Sequence, residues 1–211
     1  MLKQLFKKMD SNPLLKNVSK SIQTSLANRE VSKIASHFKQ FFNTTIASDK
    51  VTKELSYRIR HDVYCTELAF EPEKSDRLEK DEFDAHSIHC LVQHKGSKNF
   101  AGTVRMVMSN SPEQLLPIEQ FCGHALEDEI LHPKNYKREE ICEISRLAVP
   151  AQFRKRKTDK YEGAGTGVID EHSFSQNEMR CFPFIAISLY FMAATVTQQK
   201  GINHIFVMME P

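Results

Sequence analysis

The chain has 211 residues, 40% hydrophobic and 27% charged, with a formal net charge of +2, which allows one core domain of about 150–180 residues plus an appendage. Its five cysteines (Cys65, Cys90, Cys122, Cys142, Cys181) are widely spaced without a C-x-x-C, which argues against a zinc site and a disulfide framework and suits reduced thiols in a cytoplasm. Residues 1–33 hold seven Lys/Arg against Asp10 and Glu30, a surplus of +5 that leaves the rest at −3; a nucleic-acid binder concentrates positive charge on its folded body, so that class is disfavoured.

Residues 1–36 read as a basic extension. Leu2, Leu5, Phe6 and Met9 follow helical spacing with Lys3, Lys7 and Lys8 between them, an amphipathic pattern that suits peripheral membrane contact through residues 1–10 or simple packing. No apolar run there is long enough for a signal-peptide core. Residues 37–211 form the predicted domain. His37 to Ile46 is β-prone, and Ser48-Asp49 supplies cap residues for a helix to about Thr66, with Val51, Leu55, Ile59 and Val63 as its inner stripe. Residues 71–84 are acidic and polar and read as a surface loop. Ile88–His94 and Thr103–Met108 follow as antiparallel strands joined through Gly96-Ser97-Lys98-Asn99.

Residues 109–140, with Pro112, Pro117, Gly123 and Pro133, predict an irregular excursion, and Ile141–Val149 is the next strand. Thr158–Arg180 carries Gly163, Gly165 and Gly167 and reads as a flexible insertion. Pro183 and Gly201 bracket an apolar helix, which Thr195, Thr197, Gln198 and Gln199 make too short to span a membrane. Ile202–Met209 is the predicted last strand. Phe182, Phe184, Phe191 and Met192 fit either core or the lining of an apolar tunnel.

The segment Glu143-Ile144-Ser145-Arg146-Leu147-Ala148-Val149 places an acid and an arginine inside an apolar strand, where unpaired charge is costly. In a regular strand residues three apart point to opposite faces, so Glu143 and Arg146 share one site only if a β-bulge lies between Ile144 and Val149. Arg105 falls on the face opposite Val104, Met106 and Met108. His86 and His89, three apart with no third ligand nearby, make a poor metal site.

The element order strand, helix, two hairpin strands, strand, helix, strand resembles a GCN5-related N-acetyltransferase (GNAT) domain. The implied fold is α/β, with a mixed, mostly antiparallel sheet flanked by helices. More closely the chain resembles the autoinducer synthase branch, in particular the PEP-CTERM/exosortase system-associated acyltransferases and the N-acyl amino acid synthases. The matching segments are Tyr57–Cys65, Glu79–Ser87, Gly102–Arg105, Leu116–Glu119, Glu143–Val149 and Met208–Pro211. The family pattern runs on beyond Pro211, so the sheet is expected to be truncated, with an apolar edge left for a partner or second copy to cover.

The resemblance implies transfer of a fatty acyl group from an acyl carrier protein or coenzyme A thioester to an amine, with no tightly bound cofactor or metal. In autoinducer synthases the counterparts of Arg60, Asp81, Asp84, Arg105, Glu143 and Arg146 form a charged cluster beside the substrates. Glu143, Arg146 and Arg105 are the candidate catalytic residues, Glu143 as proton acceptor. Arg60, Asp81, Asp84, Phe70 and Ser145 are expected at the acceptor. Phe70 replaces the tryptophan of the autoinducer synthases, which argues against S-adenosylmethionine as acceptor.

Val149, Arg154, Lys155 and Arg156 stand where the superfamily cradles a pantetheine phosphate. Here cations, continued by Lys157 and Lys160, replace the usual glycines, which suits an acidic carrier protein as donor. The favoured reading is a cytoplasmic N-acyltransferase. Homoserine-lactone synthesis and a truncated, non-catalytic acyl- or carrier-binding module are the alternatives.

Overall fold

A computed structural model describes Arg29, residues 31–154 and residues 174–209. Residues 1–10, Lys155–Lys157, Lys160 and the three glycines of the insertion lie outside the described residues, as do Glu210 and Pro211. Contacts divide the chain between Phe41 and Phe42.

Residues 31–41 are helical, which corrects the strand expected from His37. Ile34, Phe38 and Phe41 recur at helical spacing, and His37 meets Phe41 edge-on one turn later at 5.3 Å between ring centroids. The aromatic content that suggested a strand is outweighed by that periodicity.

Five strands form one sheet in the order β1 (Phe42–Ile46), β2 (Ser87–His94), β3 (Phe100–Met108), β4 (Ile141–Ala148) and β5 (His204–Phe206). The first four run antiparallel to their neighbours, and β5 lies parallel to β4. The expected mixed, mostly antiparallel sheet with its β2–β3 hairpin is therefore present. The last strand is shorter than expected: β5 pairs only Ile141, Cys142 and Glu143 of β4. Beyond that point β4 bulges and bends, and among the described residues nothing pairs with its outer edge.

Helix α1 (Lys50–His61) covers one face of the sheet. Asp49 caps it, its carboxylate accepting the Thr52 amide at 2.8 Å while Thr52 accepts the Asp49 amide in return. Its inward side is Ser56, Ile59 and Arg60, not a stripe beginning at Val51, which is 69% exposed. Val51 sits in the first turn, before the helix reaches the sheet. The helix then widens into a π turn over Asp62–Glu67, where the Leu68 amide reaches back five residues to the Val63 carbonyl. Ile59 and Val63 join Leu91, Ala47 and Ala148 in an apolar cluster on this face.

Between β3 and β4 the chain makes the expected irregular excursion, with one short helix, α2 (Pro117–Cys122), and several 3₁₀ turns. The end of the expected insertion is ordered: Ser175 caps a single turn, α3 (Gln176–Met179), and Phe174 packs with Phe153 and Phe182. Helix α4 (Pro183–Gln199) covers the opposite face. A Cβ on Gly102 would lie 3.0 Å from Leu189 Cδ1 and 3.1 Å from the Ala148 carbonyl oxygen, so any side chain there would force α4 or β4 to give by a few tenths of an ångström. Among the described residues no helix is long and apolar enough to cross a membrane. Phe182 is buried as expected, whereas Phe191 is 66% exposed and lines no core.

Candidate active site

The β3–β4 register carries the site. Arg105 pairs with Ser145 and Thr103 with Ala148, so one residue of β3, Val104, opposes two of β4, Arg146 and Leu147. This is the expected bulge, and Arg146 sits in it with φ of +53°. A side chain there leaves the regular alternation, which turns Arg146 toward the α1 face that Glu143, Ser145 and Arg105 already occupy. The Tyr64 hydroxyl, from the π turn, donates to the Leu147 carbonyl at 2.7 Å and ties α1 to the bulge.

Three arginines converge on this face. Arg60 is fully buried and donates to Glu79 through Nε and to Asp84 through Nη1 at 2.6 Å and Nη2 at 3.1 Å. Arg105 is 1% exposed; it donates to Asp81 at 2.6 Å, to Asp84 at 3.2 Å and to the Ser145 hydroxyl at 3.2 Å. A solvent-facing strand arginine is thereby excluded. Arg146 donates to Glu79 at 3.2 Å and to Glu71 at 3.1 Å. Each guanidinium also lies near an aromatic ring, Tyr57, Phe83 and Tyr64 respectively, at 5.5–5.9 Å.

Burial opposes charge on Asp84, yet the hydrogen bonds and charge of Arg60, with the charge of Arg105, hold its pKa at about 2. Burial likewise acts against Arg60, but Asp84 and Glu79 outweigh it and raise its pKa above the ordinary value. Four carboxylates, Glu71, Glu79, Asp81 and Asp84, face three guanidiniums, leaving one negative charge in excess. Buried pairs need every partner. Glu79 is 3% exposed and serves both Arg60 and Arg146. Reading the 71–84 segment as a surface loop hides it; counting three inward arginines against two aspartates would have called for a further acid.

Glu143 differs from these carboxylates. It is completely buried; Oε2 accepts the Ile118 amide at 2.7 Å, and Oε1 has no hydrogen-bond partner among the described residues. Neither Arg105 nor Arg146 forms an ion pair with it. Burial pushes its pKa up to about 7, against the Ile118 amide and the charges of Arg105 and Arg146. A carboxyl that is close to half-ionised at neutral pH suits proton transfer.

Below Asp84, His89 Nδ1 lies 3.3 Å from the Ser56 hydroxyl, which is 2.7 Å from Thr103 Oγ1. Burial lowers the His89 pKa to about 4, so the ring is neutral. Sequence reading did not assign this chain of polar groups. His86 is separate, edge-on to Phe83.

The remaining expected residues fall elsewhere. Phe70 is 61% exposed at the end of the π turn and belongs to no described cluster. Arg154 is not a free surface cation, because Glu67 accepts its guanidinium and also the Ala151 amide at 2.9 Å. Val149 is 9% exposed just past the bulge.

Residues 59–163 match the acetyltransferase (GNAT) domain family. In structure the chain is similar to TofI, solved in a ternary complex with an inhibitor and MTA, with a TM-score of 0.50 and 16% identity over 78% of this chain and 71% of that one. It is also similar to the AHL synthase LasI (TM-score 0.47, 18% identity, 79% and 71% covered). FeeM, an N-acyl amino acid synthase from uncultured soil microbes, gives 0.48 and 16% with 81% and 72% covered. Comparison with curated proteins returned no match. The strand order and the family match agree: residues 59–163 carry an acetyltransferase (GNAT) domain, and the protein is an acyltransferase of that type.

Proposed function

We propose that the protein transfers a fatty acyl group from a thioester to the amine of an amino acid or related metabolite. The observation that carries this is the bulge at Arg146, which gathers Glu143, three arginines and four carboxylates on one face beside the place where β5 leaves β4. Arg60, Arg105, Glu79 and Asp84 are buried and act as framework. Arg146, Glu71 and Asp81 keep 29%, 37% and 26% of their side-chain surface and would meet the acceptor. A zwitterionic acceptor fits: its carboxylate toward Arg146, its ammonium toward the excess negative charge.

In the reaction the acceptor's ammonium first loses one proton to solvent, and the neutral amine nitrogen attacks the thioester carbonyl carbon. The C–N bond forms, charge builds on the oxygen, and as the carbonyl re-forms the C–S bond breaks and the departing thiolate takes up a proton from solvent. Backbone N–H groups on the unpaired edge of β4 would donate to that oxygen. Glu143 accepts the amine proton through Oε1, directly or across one water. No covalent enzyme intermediate is needed. The cations following β4 in the sequence support a carrier protein as donor.

The test is to incubate purified protein with acyl carrier protein and coenzyme A thioesters and a panel of amines, following thiol release and product mass. N-acyl amino acid formation that falls with Glu143→Gln supports the reading. A lactone product made from S-adenosylmethionine, or thioester binding without thiol release, would replace it with signal synthesis or a binding module respectively.

A further inference from the structure

We propose that the Arg138–Glu119 ion pair is a positioning device for Glu143, setting the proton affinity of its carboxylate through the Ile118 amide that the pair holds in place. This rests on the reading of Glu143 as proton acceptor.

The excursion from Ser109 to Glu140 has almost no ladder to fix it, yet among the described residues it supplies the sole hydrogen bond to the Glu143 carboxylate. Arg138 compensates. Its Nη1 and Nη2 grip both oxygens of Glu119 at 2.9 and 2.8 Å, Nη2 also reaches the Gln114 carbonyl at 2.6 Å, and Nε donates to the Ser109 hydroxyl at 2.7 Å. Glu119 in turn accepts the Leu116 amide at 2.8 Å. Ile118 is therefore bracketed on both sides, by Leu116 and Glu119, within one clamp. The clamp is anchored to the sheet, because Ser109 directly follows Met108, which pairs with Cys142 beside Glu143.

Its geometry is that of a built element. The pair is a bidentate fork with side chains 13% and 9% exposed, unlike the exposed Lys50–Glu54 contact at 4.0 Å, and forks of this kind fix direction as well as charge. Glu119 adds a second effect, since its negative charge raises the proton affinity of Glu143. The two members of the pair therefore act in opposite directions. Loss of Arg138 loosens the Ile118 amide and leaves the Glu119 charge uncompensated, so Glu143 holds its proton more tightly. Glu119→Gln removes that charge while an amide oxygen remains for Arg138, so Glu143 releases its proton more readily.

The experiment titrates Glu143 by carbon-13 NMR in protein labelled at the glutamate carboxyl carbons, its signal assigned by loss in Glu143→Gln. The expected midpoint rises in Arg138→Gln and falls in Glu119→Gln, each by about 0.5 in pH or more, about threefold in affinity. Arg138→Lys, which keeps charge but not the fork, falls between wild type and Arg138→Gln. Midpoints that stay put, or that move in the same direction, overturn the proposal. If Arg138→Gln does not fold, Glu119→Gln decides alone, and an unchanged or raised midpoint there overturns it. The pH dependence of kcat/KM is measured alongside. Midpoints that move as expected while acyl transfer is absent, or while its acidic limb does not follow them, sustain the clamp and remove Glu143's role as base.

Discussion

Replacing Glu143 by glutamine should make the protein more stable as the pH rises, while it removes activity. The burial that raises the Glu143 pKa from 4.5 to about 7 favours the neutral acid in the folded state. A carboxyl with a raised folded pKa contributes stability that is fully present below the unfolded value and is lost as pH climbs through the folded one. For this shift the total is about 3 kcal/mol, and the part falling between pH 5 and pH 8 is about 2.5 kcal/mol. Glutamine is nearly isosteric, keeps an oxygen for the Ile118 amide and does not titrate. Urea denaturation of both proteins at pH 5 and pH 8 cancels every other titrating group, provided the second difference is taken.

The expected outcome is a stability difference that moves in favour of the variant by about 2–3 kcal/mol across that interval. In the same variant acyl transfer should fall by about 10²–10⁴-fold. A second difference smaller than about 0.5 kcal/mol would mean that the ionised Glu143 is well solvated or paired, and the assignment of a perturbed base would fail with it.

Arg60→Met should cost about 3–5 kcal/mol in urea or thermal melts, because it strands the buried Glu79 and Asp84 without their shared partner; a loss below about 1 kcal/mol would show that the cluster is solvated. Tyr64→Phe removes only the hydroxyl bond to Leu147 at the bulge, so stability should drop by about 1 kcal/mol, and kcat should fall more than KM rises as Arg146 loses its fixed direction. Gly102→Ala should cost about 1–3 kcal/mol, since Leu189 can shift away from the added methyl but the Ala148 carbonyl cannot; a neutral result in urea melts would show that α4 is loosely seated.

What could be read in advance follows from which constraints are local. The bulge was legible because Glu143 and Arg146 stand at an odd spacing within an apolar strand, and alternation admits one site only if the alternation breaks; the extra residue of β4 between Ser145 and Ala148 and the left-handed φ at Arg146 are that break. The β2–β3 hairpin and the Asp49 cap were legible for the same reason, since turn and cap chemistry act within a few residues. The region before Phe42 misled because aromatic content was weighed above the spacing of Ile34, Phe38 and Phe41. Glu79 was hidden by its neighbours: Arg77 and Lys80 make it look solvated, and the loop is folded against α1 by bonds that span the sequence, the Glu79 amide to the Tyr57 carbonyl and the Lys74 amide to His61 Nε2.

Arg138 was invisible for a deeper reason. It lies in a charged stretch, and its importance exists only once Ser109, Gln114 and Glu119 have been folded around it. Charges in an apolar strand announce themselves because their cost is local. A charge that holds a loop against a sheet is seen only through its partners. That asymmetry explains why the residues expected to do chemistry lay within reach of spacing arguments, whereas those that set how tightly Glu143 holds its proton did not.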